Sequence, residues 1–232
     1  MNLTENLERV RKRILAAVNR SGSERTVKLV AVTKTHTPDV IVAAYNAGIK
    51  DIGENRIQEA ENKFPKLPDL PGLTKRMIGH LQSNKVNKAL DLFETIDAVD
   101  SLKLAGKIGK RAVLLERTVP VLLEVNTSGE SSKFGFDASN TDDMLACLSV
   151  KGILVEGLMT VGPLTKDVKT IRKAFIQLRR LKEELNRQRT EGVSALTELS
   201  MGMSGDFEIA VEEGSTMVRL GTALFGPRRT YP

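Results

Sequence analysis

Short apolar runs and helix-like stretches alternate from one end of the chain to the other. The first stretch spaces Leu3, Leu7, Val10, Ile14 and Ala17 three or four residues apart, which predicts an amphipathic helix with one buried face. Eight strand-like runs follow, at 28–33, 51–53, 76–79, 95–99, 121–125, 153–159, 196–200 and 217–220. They lack the polar alternate face of a half-exposed strand, so they predict parallel strands covered by helices. Helical patterns separate them, most clearly at 168–189, where Ile171, Phe175, Leu178, Leu181 and Leu185 share a face. This alternation places the chain in the α/β class. Eight units select a single (β/α)8 TIM barrel with an additional N-terminal helix over an open sheet. The proline-rich run FPKLPDLPG at 64–72 could divide two domains, but the barrel needs both sides of it, so it reads as a loop and 1–232 as one domain.

With 232 residues, 41% of them hydrophobic, the chain can bury one sizeable core. No apolar run approaches a membrane span, and MNLTENLERVRKR carries charges where a signal peptide would be apolar, so a cytoplasmic protein is expected. One cysteine, Cys147, excludes an internal disulfide framework, and two histidines, His36 and His80, argue against a metal site. The net charge is +6, but the charges are interspersed and aromatics make up only 4%, leaving few platforms for stacking on bases. No nucleic-acid partner is expected. The basic stretches at 9–13 and 172–189 lie on helical patterns and read as solvated faces.

In a barrel, chemistry gathers where the strands end. Those ends read Thr33-Lys34-Thr35-His36, Gly53-Glu54-Asn55, Gly79-His80, Asp100-Ser101, Asn126, Met159-Thr160, Ser200-Met201-Gly202 and Arg219-Leu220-Gly221-Thr222. Lys34 closes an apolar run, where partial desolvation favours a neutral amine able to form an imine with an aldehyde. The last two ends are rich in glycine and serine, and they fall where many barrels bind phosphate. An imine-forming amine beside a phosphate cradle points to pyridoxal 5′-phosphate.

The strings VAVTKT, DIGENRIQE, IGHLQSNK, EVNTSGESSKFGF, GLMTVG and LSMGMSGDFEIAVEEGSTMVRLGTALFG, in this order and spacing, resemble the pyridoxal phosphate homeostasis proteins, also called the proline-synthetase-cotranscribed or alanine-racemase-N-terminal-domain-like family. The resemblance covers nearly the whole chain. It implies a monomeric barrel that carries the cofactor as a lysine imine and keeps intracellular vitamin B6 in balance without committed catalysis, with apo-enzymes that need the cofactor as recipients. On matching positions it implies that Lys34 forms the imine and that Ser200, Gly221 and Thr222 bind the phosphate, helped by Gly202 or Ser204. Arg219 would face the pyridine nitrogen, or alternatively pair with Glu212 or Glu213. Asn55 would bond the ring hydroxyl or cap the helix that follows. His80 would face the ring or serve as a structural hydrogen-bonder, and Lys133 reads as a mobile surface lysine. One departure stands before IGHLQ, where family members often carry Trp-His-Phe and this chain has Arg76-Met77-Ile78. That bears on packing near the third strand.

Two alternatives stay open. One is a pyridoxal-phosphate racemase or decarboxylase of the same barrel type. Such enzymes complete the site from a second domain, whereas this chain ends soon after its eighth run. Racemisation also wants an acid–base group on each face of the carbanion, and the only tyrosines are Tyr45 and Tyr231, which leaves no second base. The other is a cofactor-free barrel aldolase that uses Lys34 for its own substrate.

Overall fold

A computed structural model describes residues 2–130 and 133–227. Its strands are β1 (Lys28–Val32), β2 (Asp51–Glu54), β3 (Thr74–Met77), β4 (Thr95–Val99), β5 (Val119–Asn126), β6 (Phe136–Asp137), β7 (Ile153–Met159), β8 (Glu198–Ser200) and β9 (Met217–Leu220). All but β6 run parallel around a closed barrel, in the order β1-β2-β3-β4-β5-β7-β8-β9, with β9 pairing back on β1. The eight predicted runs are the eight barrel strands, although the third starts earlier and stops at Met77. The two-residue β6, which pairs with the end of β5, was not foreseen.

The helices are α1 (Leu3–Arg20), α2 (Pro38–Asn46), α3 (Ile57–Lys63), α4 (Val86–Leu92), α5 (Leu102–Leu114), α6 (Thr141–Leu148), α7 (Val168–Gln188), α8 (Phe207–Glu212) and α9 (Thr222–Phe225). α1 starts where the Asn2 side chain accepts from Thr4 N at 3.1 Å, and it buries Leu7, Val10, Ile14 and Ala17 as its spacing predicts. That face packs against a cluster containing Phe207 and Val211 of α8 and Leu224 of α9. α7 is capped by Asp167 and buries Ile171, Phe175, Leu178, Leu181 and Leu185. Each large buried side chain of this kind contributes roughly 1.5–3 kcal/mol, against about 0.2–1 kcal/mol for an exposed ion pair, so the apolar stripe holds the helix in place.

The basic faces are less solvated than expected. On α7, Arg172 reaches Glu212 and Glu213 at 2.6 Å each and Arg179 reaches Glu213 at 3.2 Å. On α1, Arg13 pairs with Glu208 at 2.6 Å and Arg20 with Glu212 at 2.7 Å. These arginines pin both helices to α8, at the end of β8. Cys147 is buried on α6, where burial pushes its thiol up to about 12 and keeps it inert. No described helix is long and apolar enough to cross a membrane. Among the described residues, no cluster of His, Cys, Asp and Glu could hold a metal ion.

The bore shows how the departure at the third strand is accommodated. Val30, Ala98, Leu122, Met159 and Met217 form an apolar cluster drawn from strands around the barrel. Arg76 is buried among charges: its Nε donates to Asp51 Oδ1 at 2.7 Å, and its Nη1 donates to both oxygens of the fully buried Asp97 at 3.2 Å. Thr95 donates its hydroxyl to Asp97 at 2.9 Å. Ile78 fills the space over Gly53, while Met77 packs outward with Ile57, Leu81 and Phe93. Burial opposes the Arg76 charge, yet Asp97 and Asp51 together hold it above the usual arginine range. Arg76→Met would leave two carboxylates in the bore without their cation, and the expected loss is about 3–5 kcal/mol in urea unfolding; a loss under about 1 kcal/mol would show that the cluster is dispensable.

Candidate functional site

The first strand end is held from both sides. Thr33, which follows β1, is fully buried and donates its hydroxyl to Glu54 Oε1 at 2.7 Å. Lys63, at the end of α3, donates to Thr33 O at 2.8 Å, Glu54 Oε1 at 2.9 Å and Glu59 Oε1 at 2.5 Å. Thr35, whose φ of 67° is rare for a non-glycine residue, donates its backbone N–H to the same Glu59 oxygen. Between these two anchored residues sits the half-buried Lys34. The network therefore sets the direction in which Lys34 leaves the strand. Sequence reasoning named none of Glu54, Glu59 and Lys63 as functional, although Glu59 and Lys63 stand four apart, the spacing of a helical ion pair. Burial raises the Glu54 carboxyl, with the Thr33 and Lys63 hydrogen bonds opposing it, and Glu54 Oε2 has no partner.

On β9, the strand paired with β1, Arg219 turns its side chain inward. Its Nη1 donates to Ser200 O at 2.8 Å and Ser200 Oγ at 2.7 Å, and its Nη2 donates to Thr160 O at 2.7 Å. These bonds lay the guanidinium over the ends of β7 and β8. Among the described residues no carboxylate comes within ion-pair range of it, and burial pulls it below the usual arginine range, with Asp97, Glu124 and Asp206 pulling back from further away. The alternative pairing with Glu212 or Glu213 does not occur, since those two serve Arg20, Arg172 and Arg179. A guanidinium has five N–H donors, so the bonds to Ser200 and Thr160 leave Nε and one Nη2 hydrogen for a further acceptor.

Ser200 is fully buried, and because its hydroxyl accepts from Arg219 its own proton remains to donate. Gly202 has φ +96°, and a Cβ there would lie 2.6 Å from Ala210 Cβ and 2.9 Å from Phe207 Cα, so only glycine fits. Its carbonyl accepts from Arg219 N at 3.0 Å, tying this loop to β9. Gly221 and Thr222 open α9, and Ser204 Oγ accepts from Ala223 N at 3.1 Å, so the seventh and eighth loops meet.

The other rim residues differ in part from expectation. Asn55 caps nothing: α3 begins at Ile57 after Arg56, without a side-chain cap. It instead lies against Gly79, where a Cβ would come within 2.4 Å of the Asn55 carbonyl. His80 has its Nδ1 2.9 Å from Asp100 Oδ2 and stacks on Phe134 with ring centroids 3.7 Å apart. His36 packs on Phe225, with centroids 4.8 Å apart. Lys133 is not a mobile surface lysine, because it reaches Glu130 at 2.8 Å and donates to Gly162 O at 2.9 Å, tying the fifth loop to the sixth. Tyr231 lies outside the described residues.

Glu124 is the residue that the reading of the sequence missed altogether. It sits on β5, two residues after the bore-lining Leu122, and is 8% exposed. Burial pushes its carboxyl up to about 7, against the pull of Arg219 and with a push from Asp100. Within the apolar run VLLEVN nothing but its alternation with Leu122 marked it as inward-facing.

With this geometry in hand, relatives can be compared. Residues 5–229 match the family described as alanine racemase, N-terminal domain. A pyridoxal phosphate homeostasis protein of Aquifex aeolicus is 42% identical over 231 residues, covering 99% of this chain and 100% of the relative. The chain belongs to the pyridoxal phosphate homeostasis protein family. A human member is 39% identical over 237 residues, covering 96% of this chain and 85% of its own length. PipY of Synechococcus elongatus, solved with PLP bound, superposes with a TM-score of 0.84 at 36% identity, covering 97% of this chain and 100% of that one.

The raised Glu124 carboxyl predicts a pH dependence of folding. The folded chain keeps this proton up to about pH 7, while the unfolded chain releases it near the ordinary glutamate value of about 4.3, so stability falls as pH rises through that window. Near pH 8, Glu124→Gln is expected to stabilise the protein by up to about 3 kcal/mol relative to wild type, with the gain shrinking toward zero near pH 4. Urea unfolding at both pH values checks this, and a pH-independent difference would contradict it.

Proposed function

We propose that this chain binds pyridoxal 5′-phosphate at the C-terminal rim of its barrel, holds it covalently through Lys34, and passes it to apo-enzymes without committed turnover. The observation that carries this reading is Arg219, buried beside Ser200 with donors to spare and no carboxylate partner among the described residues. A buried cation left in that state is costly unless a ligand satisfies it. The residues fit the cofactor. Lys34 presents an amine from a strand end fixed by Thr33 and Thr35, Ser200 keeps a hydroxyl proton to donate, and the loops at Gly202 and at Gly221 and Thr222 meet through Ser204. Phosphate binding falls to Ser200, Gly221 and Thr222, with Gly202 shaping the loop, while Asn55 and His80 border the ring.

When bound, pyridoxal 5′-phosphate supplies an aldehyde for exchange with amines and a ring that withdraws electrons. Arg219 would restrain the second property, because a permanent positive charge facing the ring nitrogen, as the family resemblance implies, would disfavour a proton there. Electrostatic arrangements of this size, about 3–4 kcal/mol, are worth on the order of 10²–10³ in rate, so the site is poor at stabilising a carbanion. A monomer in the reducing cytoplasm suits this role.

Glu124 favours a second reading, a racemase- or decarboxylase-type enzyme. Held near about 7 inside the bore, it supplies an acid–base group that the tyrosines do not. Turnover separates the two. Wild-type protein loaded with pyridoxal 5′-phosphate is expected to show the absorbance of a lysine-linked cofactor, lost in Lys34→Ala, and no racemase or decarboxylase activity above that of free cofactor. Turnover of about one per second on any common amino acid, lost in Lys34→Ala, would establish the enzyme reading instead. Absence of cofactor absorbance in wild type would favour the cofactor-free aldolase.

A further inference from the structure

Beside the mouth, between the second and third strand ends, lies a cavity of about 290 Å³ bordered by Asn55, Arg56, Gln58, His80, Gln82 and Lys85. No carboxylate lines it. Arg56 and Lys85 have no acidic partner among the described residues, whereas the rim cations Lys63 and Lys133 both do. Two cations, three amides and a histidine therefore face a common space.

The histidine is held from outside. Asp100 takes its Nδ1 at 2.9 Å and Phe134 covers its ring at 3.7 Å, which leaves Nε2 as the polar atom of a fixed ring. Gly79, packed against the Asn55 backbone, sets the distance between the two loops that form the walls. The cavity thus rests on rigid neighbours, although Arg56 itself is exposed.

We propose that this cavity is a second anion subsite, which takes the phosphate monoester of a B6 vitamer arriving at or leaving the mouth, without any covalent bond. The inference rests on the cofactor reading above. The guanidinium of Arg56 offers a planar fork that matches two phosphate oxygens, Lys85 adds a point charge, and the side-chain amides add neutral donors. The volume falls just below the roughly 300–1,000 Å³ of sites for drug-sized ligands, so it suits a phosphate and part of one ring rather than a nucleotide. Asn55 and His80, which border both the cavity and the mouth, make the two sites neighbours. A vitamer held here stands on the same rim as the first strand end that carries Lys34, and its local concentration at the mouth exceeds that in bulk.

Pyridoxamine 5′-phosphate tests this, because it lacks the aldehyde and binds only non-covalently. Calorimetric titration of the full chain carrying Lys34→Ala is expected to show two sites. Adding Arg56→Ala and Lys85→Ala should remove one site or weaken it at least about tenfold, while Thr222→Val should weaken the other. In otherwise wild-type protein, Arg56→Ala/Lys85→Ala should slow loading of pyridoxal 5′-phosphate without lowering the final absorbance. Unchanged stoichiometry and unchanged loading in this double variant would overturn the subsite. So would inorganic phosphate displacing the vitamer from it at equal concentration. Failure of the cofactor reading looks different, since wild-type protein would then never acquire the cofactor absorbance.

Discussion

The candidate site depends on how Lys63 is buried. Its three ammonium hydrogens go to the Thr33 carbonyl, to Glu54 and to Glu59, so a single cation joins the backbone of the first strand end to the second strand and the third helix. Glu59 passes the restraint on to the N–H of Thr35. Lys34 lies between these points. It leaves the barrel wall in one direction because its neighbours cannot move independently of the ion cluster. A lysine on an ordinary loop would also have its backbone to order on every binding event, and here that part of the cost is met on folding.

Two arginines in the same bore show how pairing separates structure from chemistry. Arg76 meets two carboxylates at bonding distance and sits in a closed network with Thr95. Arg219 is equally buried but is satisfied only by two carbonyls and a hydroxyl, with Asp97, Glu124 and Asp206 acting from a distance. A folded chain keeps such an incomplete arrangement where something else is to be bound. Glu124 fits the same pattern, since burial keeps its proton where an exposed glutamate would have lost it.

The barrel was legible because its strands are apolar runs that alternate with helices, and parallel strands buried on both faces need that composition. β6 was not legible, since two residues, Phe136 and Asp137, carry no period. Lys34, Arg219 and the Ser200 and Gly221 loops stood out by lying at strand ends. Glu124 did not, because inside VLLEVN it looks like a stray charge in a strand, and its meaning comes from the burial that the closed barrel imposes on it, with the Arg219 and Asp100 charges acting as smaller influences. The Glu59–Lys63 pair was visible as helix spacing, yet such pairs are commonly solvated, and nothing local shows that Thr33 and Glu54 complete the cluster. Lys133 was misread for the same reason, as its partner Gly162 is remote in sequence.

The central claim is the proposal that covalent attachment falls to Lys34, whose strand end is fixed on both sides by Thr33 and Thr35. Lys63 spends its donors on Thr33, Glu54 and Glu59, and Lys133 is engaged by Glu130 and Gly162. Loading the wild-type protein with one equivalent of pyridoxal 5′-phosphate, trapping the link with borohydride and sequencing the labelled peptides by mass spectrometry tests this directly. The account predicts the label on Lys34 alone. A label predominantly on Lys63 or Lys133 would contradict it.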